Sequence, residues 1–180
     1  MRGDLRVKSS SGFTLLELLA VIIVVGVLGA VLLGRVWFYQ EQAEKVAMEQ
    51  MAGTLRSALH LQIADRLLKG QPDFATLADD NPMEWLMEPP KNYLGERFGA
   101  MPGAVAGGNW YFDLQDKTLI YVVAQGAHFT PNSAGHKRVR YQVRPIAGRK
   151  NIQVGLGTVD KQNIEGVVLV LLEPYQWFGR

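Results

Sequence analysis

From Leu18 to Gly34 the chain carries no charged side chain, and the apolar run that contains this stretch starts at Phe13 with one acid, Glu17, inside it. As a helix, Phe13 to Gly34 would extend about 33 Å, close to the thickness of a bilayer's hydrocarbon core. It is long enough to span a membrane, and this constrains the rest of the chain more than any other feature. Glu17 is the anomaly, because a carboxylate at mid-bilayer costs about 2.5–3.5 kcal/mol on insertion scales. Such a group needs a cationic partner.

The residues before the run hold Arg2, Arg6 and Lys8 against Asp4, and Arg35 is the one basic residue directly after it. The positive-inside rule therefore puts Met1 in the cytoplasm and the carboxy-terminal part outside. Two simpler readings compete: an ordinary cleaved signal peptide and a plain uncleaved anchor. Against the first, the apolar segment is longer than a signal peptide's core, and no small-x-small pattern follows near Arg35-Val36-Trp37-Phe38-Tyr39.

A short basic leader ending in Gly12, then Phe13-Thr14-Leu15-Leu16-Glu17 joined to an uninterrupted apolar helix, resembles the amino-terminal processing signal of the type IV pilin and pseudopilin superfamily. The resemblance is close over roughly the first 35 residues and elsewhere extends only to the general layout. It implies that a prepilin peptidase cuts between Gly12 and Phe13 and N-methylates Phe13, and that Glu17 acts in subunit registration. It also implies a bacterial inner-membrane protein, single-pass, with its amino terminus cytoplasmic and its carboxy-terminal domain periplasmic. Such a protein is later drawn by an inner-membrane assembly platform into a pilus or a type II secretion pseudopilus with other subunits of its kind.

The 180 residues give room for one modest domain plus the amino-terminal helix. With no cysteine there is no disulfide, thiolate metal site or cysteine nucleophile. The formal charge is +2, but without residues 1–12 the remaining 168 carry 16 basic and 16 acidic side chains. A net-neutral chain does not indicate a generally polybasic nucleic-acid binder.

Taken in order, the expected segments are a removable leader (1–12), the membrane or filament-core helix (13–34), an amphipathic helix (35–70), a variable loop region (71–108) and a sheet region (109–180). Trp37, Phe38 and Tyr39 fall at headgroup level. Met48, Met51, Leu55, Leu59, Ile63 and Leu67 make one helical stripe, and Glu41, Glu44 and Lys45 lie mostly off it as a solvated face. Gly70 with Gln71-Pro72 stops the helix, and 73–78 has the pattern of a short helix. The Pro- and Gly-rich stretch 81–108 reads as a packed loop, in the region where the resemblance implies that subunits differ most. Residues 109–114 and 118–124 predict a hairpin, Arg138 to Arg144 an alternating strand, Ile152 to Val154 a weaker strand, and Gly166 to Leu172 a strand covered on both faces or in a subunit contact. The fold class is α+β: a long helix on an antiparallel sheet of three to five strands.

Glu17 reads either as a charge tolerated near the interface or as the partner of a neighbour's amine. Gly26, Gly29 and Gly34 allow close helix contact but do not form GxxxG. Arg138, Arg140 and Arg144, near Lys137, Arg149 and Lys150, form a basic face with three readings: a solvated edge, a subunit contact and a nucleic-acid or anion surface. Residues 73–116 hold eight acidic and two basic side chains, and 117–161 hold eight basic and one acidic. That blockwise polarity favours head-to-tail contacts over nucleic acid. Asp160, Asn163 and Glu165 could supply oxygen ligands to calcium, with a polar turn as the plainer reading. His60, His128 and His136 show no metal spacing, Ser133 beside His136 reads as loop chemistry, and no catalytic motif is recognisable. The sequence thus points to a structural filament subunit, not an enzyme. The alternatives are a minor tip subunit acting as adhesin or DNA-binding module, and a membrane-anchored periplasmic enzyme.

Overall fold

The computed structural model describes residues 13–70, 74–99, 103–132, 134–154 and 157–179, with the side chains of 147–154 and 157–165 excepted. Helix α1 runs from Leu15 to Leu68 without a break, as expected of a range that contains no proline. It closes at Gly70, whose φ of 66° is the left-handed cap that glycine adopts without steric cost, its N–H returning to the Leu67 carbonyl at 3.1 Å. The Gln71-Pro72 pair expected to help stop it lies outside the described residues.

The chain divides into two compact units between Gln40 and Glu41. In the first, the side chains of α1 are exposed from Leu15 to Trp37. Phe38 and Tyr39 meet edge-on with ring centres 5.9 Å apart.

In the second, α1 packs on a sheet of five strands: β1 (Tyr93–Arg97), β2 (Asn109–Asp113), β3 (Thr118–Val122), β4 (Arg138–Val154) and β5 (Gly157–Leu171). The strands lie in chain order, with β1 parallel to β2 and every other pair antiparallel. Period-two alternation explains the layering. Trp110 and Phe112 of β2, Leu119 and Tyr121 of β3, and Val139, Tyr141 and Val143 of β4 join Met48, Ala52, Leu55 and Leu59 of α1 in the main core. Tyr111 and Ile120 point the other way and form a small cluster with Val105 and Val122. Complete burial of Leu55 contributes about 2 kcal/mol by area. The helical stripe holds as far as Ile63, which packs partly on the core, whereas Leu67 stays 57% exposed.

Four expectations are corrected. In the 81–108 region Pro82 and Met83 are buried and Trp85, Leu86 and Tyr93 pack partly on the core, but Phe98 is 76% exposed, and the region contains a strand, β1, paired with β2. Asn81 anchors this region: its Oδ1 accepts the Met83 N–H at 3.1 Å, and its Nδ2 donates to Tyr93 Oη at 2.7 Å and Glu96 Oε1 at 3.0 Å. Ile152 to Val154 is the end of a long β4 and not a separate strand, because β4 and β5 pair continuously to Val154↔Gly157 apart from one irregularity. The apolar stretch of β5 is not covered on both faces. Val167 and Leu169 are buried in the core, but Val168 is 38% exposed at what is an outer strand. The short helix in the 73–78 region is a 3-10 turn, Thr76–Ala78, and Asp73 itself lies outside the described residues.

Candidate processing and assembly site

The start of α1 is set by Thr14, whose Oγ1 accepts the Glu17 N–H at 3.3 Å. A threonine followed three residues later by glutamate is the capping-box pattern, and the helix dipole adds partial positive charge at the same end. Thr14 therefore fixes where the helix begins and places Glu17 in its first turn. Phe13 is 73% exposed and Leu15 85%. Gly12, the other half of the expected cleavage position, lies outside the described residues.

From Leu18 to Gly34 the helix is apolar on all sides and exposed, and one window of α1 is long and uncharged enough to cross a membrane. An exposed helix that is apolar all round fits a membrane-anchored segment. Apart from the helix's own backbone, nothing among the described residues stands within 4 Å of where a Cβ would project from Gly26, Gly29 or Gly34. Glycine inside a helix costs roughly 0.5–1 kcal/mol relative to alanine, and no close contact among the described residues requires it at these positions.

The basic face of β4 has a different setting from the one expected. Arg138 and Arg140 lie where β4 runs between β3 and β5, so the solvated-edge reading is corrected for these two; Arg144 lies beyond the β3 register, which ends at Tyr141, and pairs only across to β5. Arg140 is 18% exposed and already neutralised, with Nη2 3.1 Å from Asp116 and Nη1 3.1 Å from Glu173. Arg138 lies against Tyr111, opposing the burial that pushes that phenol's pKa up. Arg144 is exposed, with Nε donating to Gln142 Oε1 at 2.9 Å. Part of the sequence's block polarity is thus satisfied within the molecule.

Asp160, Asn163 and Glu165 lie on β5, where Asp160 pairs with Asn151 and Asn163 with Gly148, so their backbone is strand and not the polar turn expected. Their side chains are outside the described residues. Among the described residues no three His, Cys, Asp or Glu side chains form a group that could hold a metal. Ser133 is also outside the description.

Sequence reasoning missed the most highly organised polar cluster. Glu41 and Glu44, expected on a solvated face, both turn inward. Glu41 is 2% exposed; its Oε1 accepts the His128 N–H at 2.8 Å and Trp177 Nε1–H at 3.0 Å, and its Oε2 lies 2.7 Å from His128 Nδ1. Glu44 accepts from Tyr121 Oη at 2.9 Å, Ala124 N at 2.7 Å and Gln125 N at 2.6 Å. Burial pushes the Glu41 carboxyl up, but these hydrogen bonds and the His128 ring outweigh it and hold the group below the ordinary carboxylate range. Two helix carboxylates thus clamp α1 to the loop after β3 and to the carboxy-terminal tail. A signal did exist, because Glu41 stands seven residues before Met48, on the buried stripe.

No curated protein and no solved structure matches the chain. Residues 7–33 match the prokaryotic N-terminal methylation motif, covering the end of the leader with Lys8 and Gly12, then Phe13, Glu17 and most of the apolar run. At the head of a membrane-length apolar helix, this chain carries the prepilin-type signature of type IV pilins and pseudopilins.

Proposed function

We propose that the chain is a structural subunit of a pilin-like filament. It is made as a bitopic inner-membrane precursor, cut after Gly12 by the prepilin peptidase, and assembled with other pilin subunits through residues 13–34. The observation that carries this is the methylation motif at residues 7–33 running directly into an apolar helix whose side chains are exposed. The motif favours a structural subunit over an enzyme.

Glu17 has a specific task in this reading. Cleavage creates an ammonium group on Phe13 in a low-dielectric setting, where opposite charges attract far more strongly than in water. Glu17 of an incoming subunit pairs with the Phe13 amine of a neighbour, so a wrongly staggered subunit leaves two unpaired charges in apolar surroundings and is rejected. The Thr14 cap supports this by placing Glu17 in the first helical turn. Glu17→Ala and Glu17→Gln are expected to be processed normally yet to enter filaments at a small fraction of the wild-type level. Full incorporation of both variants would rule the pairing out.

A further inference from the structure

On the sheet face turned away from α1, Tyr111 of β2, Val122 of β3 and Arg138 of β4 come from three neighbouring strands, with Arg138 directly across from Val122 in the register. With Val105, and with His136 and Lys137 just before β4, they line a cavity of about 200 Å³. The approach to β4 is held by Asn132, whose Oδ1 accepts the His136 N–H at 2.9 Å and whose own N–H donates to the His136 carbonyl at 3.1 Å. Lys137 Nζ donates to the Gly126 carbonyl at 2.5 Å. Gly126 leaves room for that side chain, since a Cβ there would come within 2.8 Å of Lys137 Cδ.

The positive charge at this cavity has no counter-charge from the chain. Arg138 Nε is buried without a hydrogen-bond partner, and no ion pair among the described residues involves Arg138. Arg140, two residues on, also has an unpartnered Nε, but its Nη atoms are held by Asp116 and Glu173. The acids nearby are committed elsewhere: Asp113 Oδ1 accepts the Gly99 and Gln115 N–H groups, and Glu173 is taken by Arg140 and Asn132. No acidic side chain is among the described residues that line the cavity. A partly buried guanidinium without a counter-charge favours an anion from outside, and its planar fork matches a carboxylate or a phosphate.

We propose that this cavity binds a small organic anion, with a carboxylate or phosphate head on Arg138 and Lys137 and an apolar body against Val105 and Val122. Tyr111 and His136 supply further polar groups at its wall. The volume lies below the roughly 300–1,000 Å³ of sites for drug-sized ligands, so the ligand is small. The inference goes beyond the filament reading and does not rest on it.

Equilibrium dialysis of the full chain in a non-ionic detergent, against labelled benzoate or phenyl phosphate up to millimolar concentration, measures this binding, with detergent alone as the blank. Saturable uptake of one molecule per chain is expected for at least one of the two probes, and the tighter one identifies the head. Arg138→Gln should weaken it about tenfold, and Lys137→Gln, at an exposed side chain, several-fold. Arg144→Gln, also exposed but outside the cavity, should leave it unchanged. Thermal unfolding without ligand shows which variants fold, and if Arg138→Gln does not, Lys137→Gln decides. No saturable uptake of either probe, uptake undiminished in folded Lys137→Gln, or an equal loss in Arg144→Gln would overturn the proposal.

Discussion

Glu41 is an acid on α1 that has found its partners within the molecule, and it sets a measurable part of the second unit's stability. Its partners at His128 and Trp177 are far away in sequence, so removing the carboxylate leaves a buried indole N–H and a backbone N–H without an acceptor. Glu41→Ala is therefore expected to cost about 2–3 kcal/mol in denaturant unfolding of the full chain in detergent. A carboxyl whose folded pKa lies below its unfolded value contributes stability that is present above the unfolded pKa and lost as pH falls through the folded one. Glu41 behaves this way, and so does Glu173, held low by the Asn132 hydrogen bond against its own desolvation, with Arg140 adding to the effect. The second unit should lose stability as pH falls below about 4. Glu41→Gln should flatten that loss, and a variant as acid-sensitive as wild type would contradict the assignment. Charge alone made Glu41 look solvated; only its place on the Met48–Leu55 stripe hinted otherwise, and its donors come from segments that no local pattern connects.

At the scale of elements, two glycines are expected to respond in opposite directions. A Cβ at Gly107 would come within 2.6 Å of Ala124 Cα and 2.9 Å of the Val123 carbonyl oxygen, a backbone clash that side-chain motion cannot relieve. Gly53, inside α1, has nothing within 4 Å. Gly107→Ala should destabilise by about 1–3 kcal/mol through forced backbone displacement, and Gly53→Ala should stabilise by about 0.5–1 kcal/mol through helix propensity. Thermal unfolding of both variants checks the signs. The β2–β3 hairpin and the Val139-Tyr141-Val143 alternation were legible because their period and turn are local. β1 was not, since Tyr93-Leu94-Gly95-Glu96-Arg97 has a glycine at its centre, lies among prolines, and pairs in parallel with a strand it does not adjoin by a tight turn. The length of the β4–β5 hairpin was missed for a similar reason: polar and glycine residues from 147 to 166 read as punctuation between two short strands.

For the whole molecule, the unbroken helix and its apolar run from Leu18 to Gly34 were legible from sequence because a membrane-length stretch without charge or proline admits few solutions. The blockwise charge was visible too, but its meaning depended on the fold, which pairs Arg140 with Asp116 and Glu173 inside one molecule. The central claim is that residues 1–12 form a leader removed by a processing enzyme, and that the chain then works as an assembled subunit. Mass spectrometry of the intact protein, recovered from cells with an active prepilin peptidase, tests this most directly. The expected result is a chain beginning at Phe13 and carrying a methyl group on its amine; a chain still beginning at Met1 in those cells would contradict it.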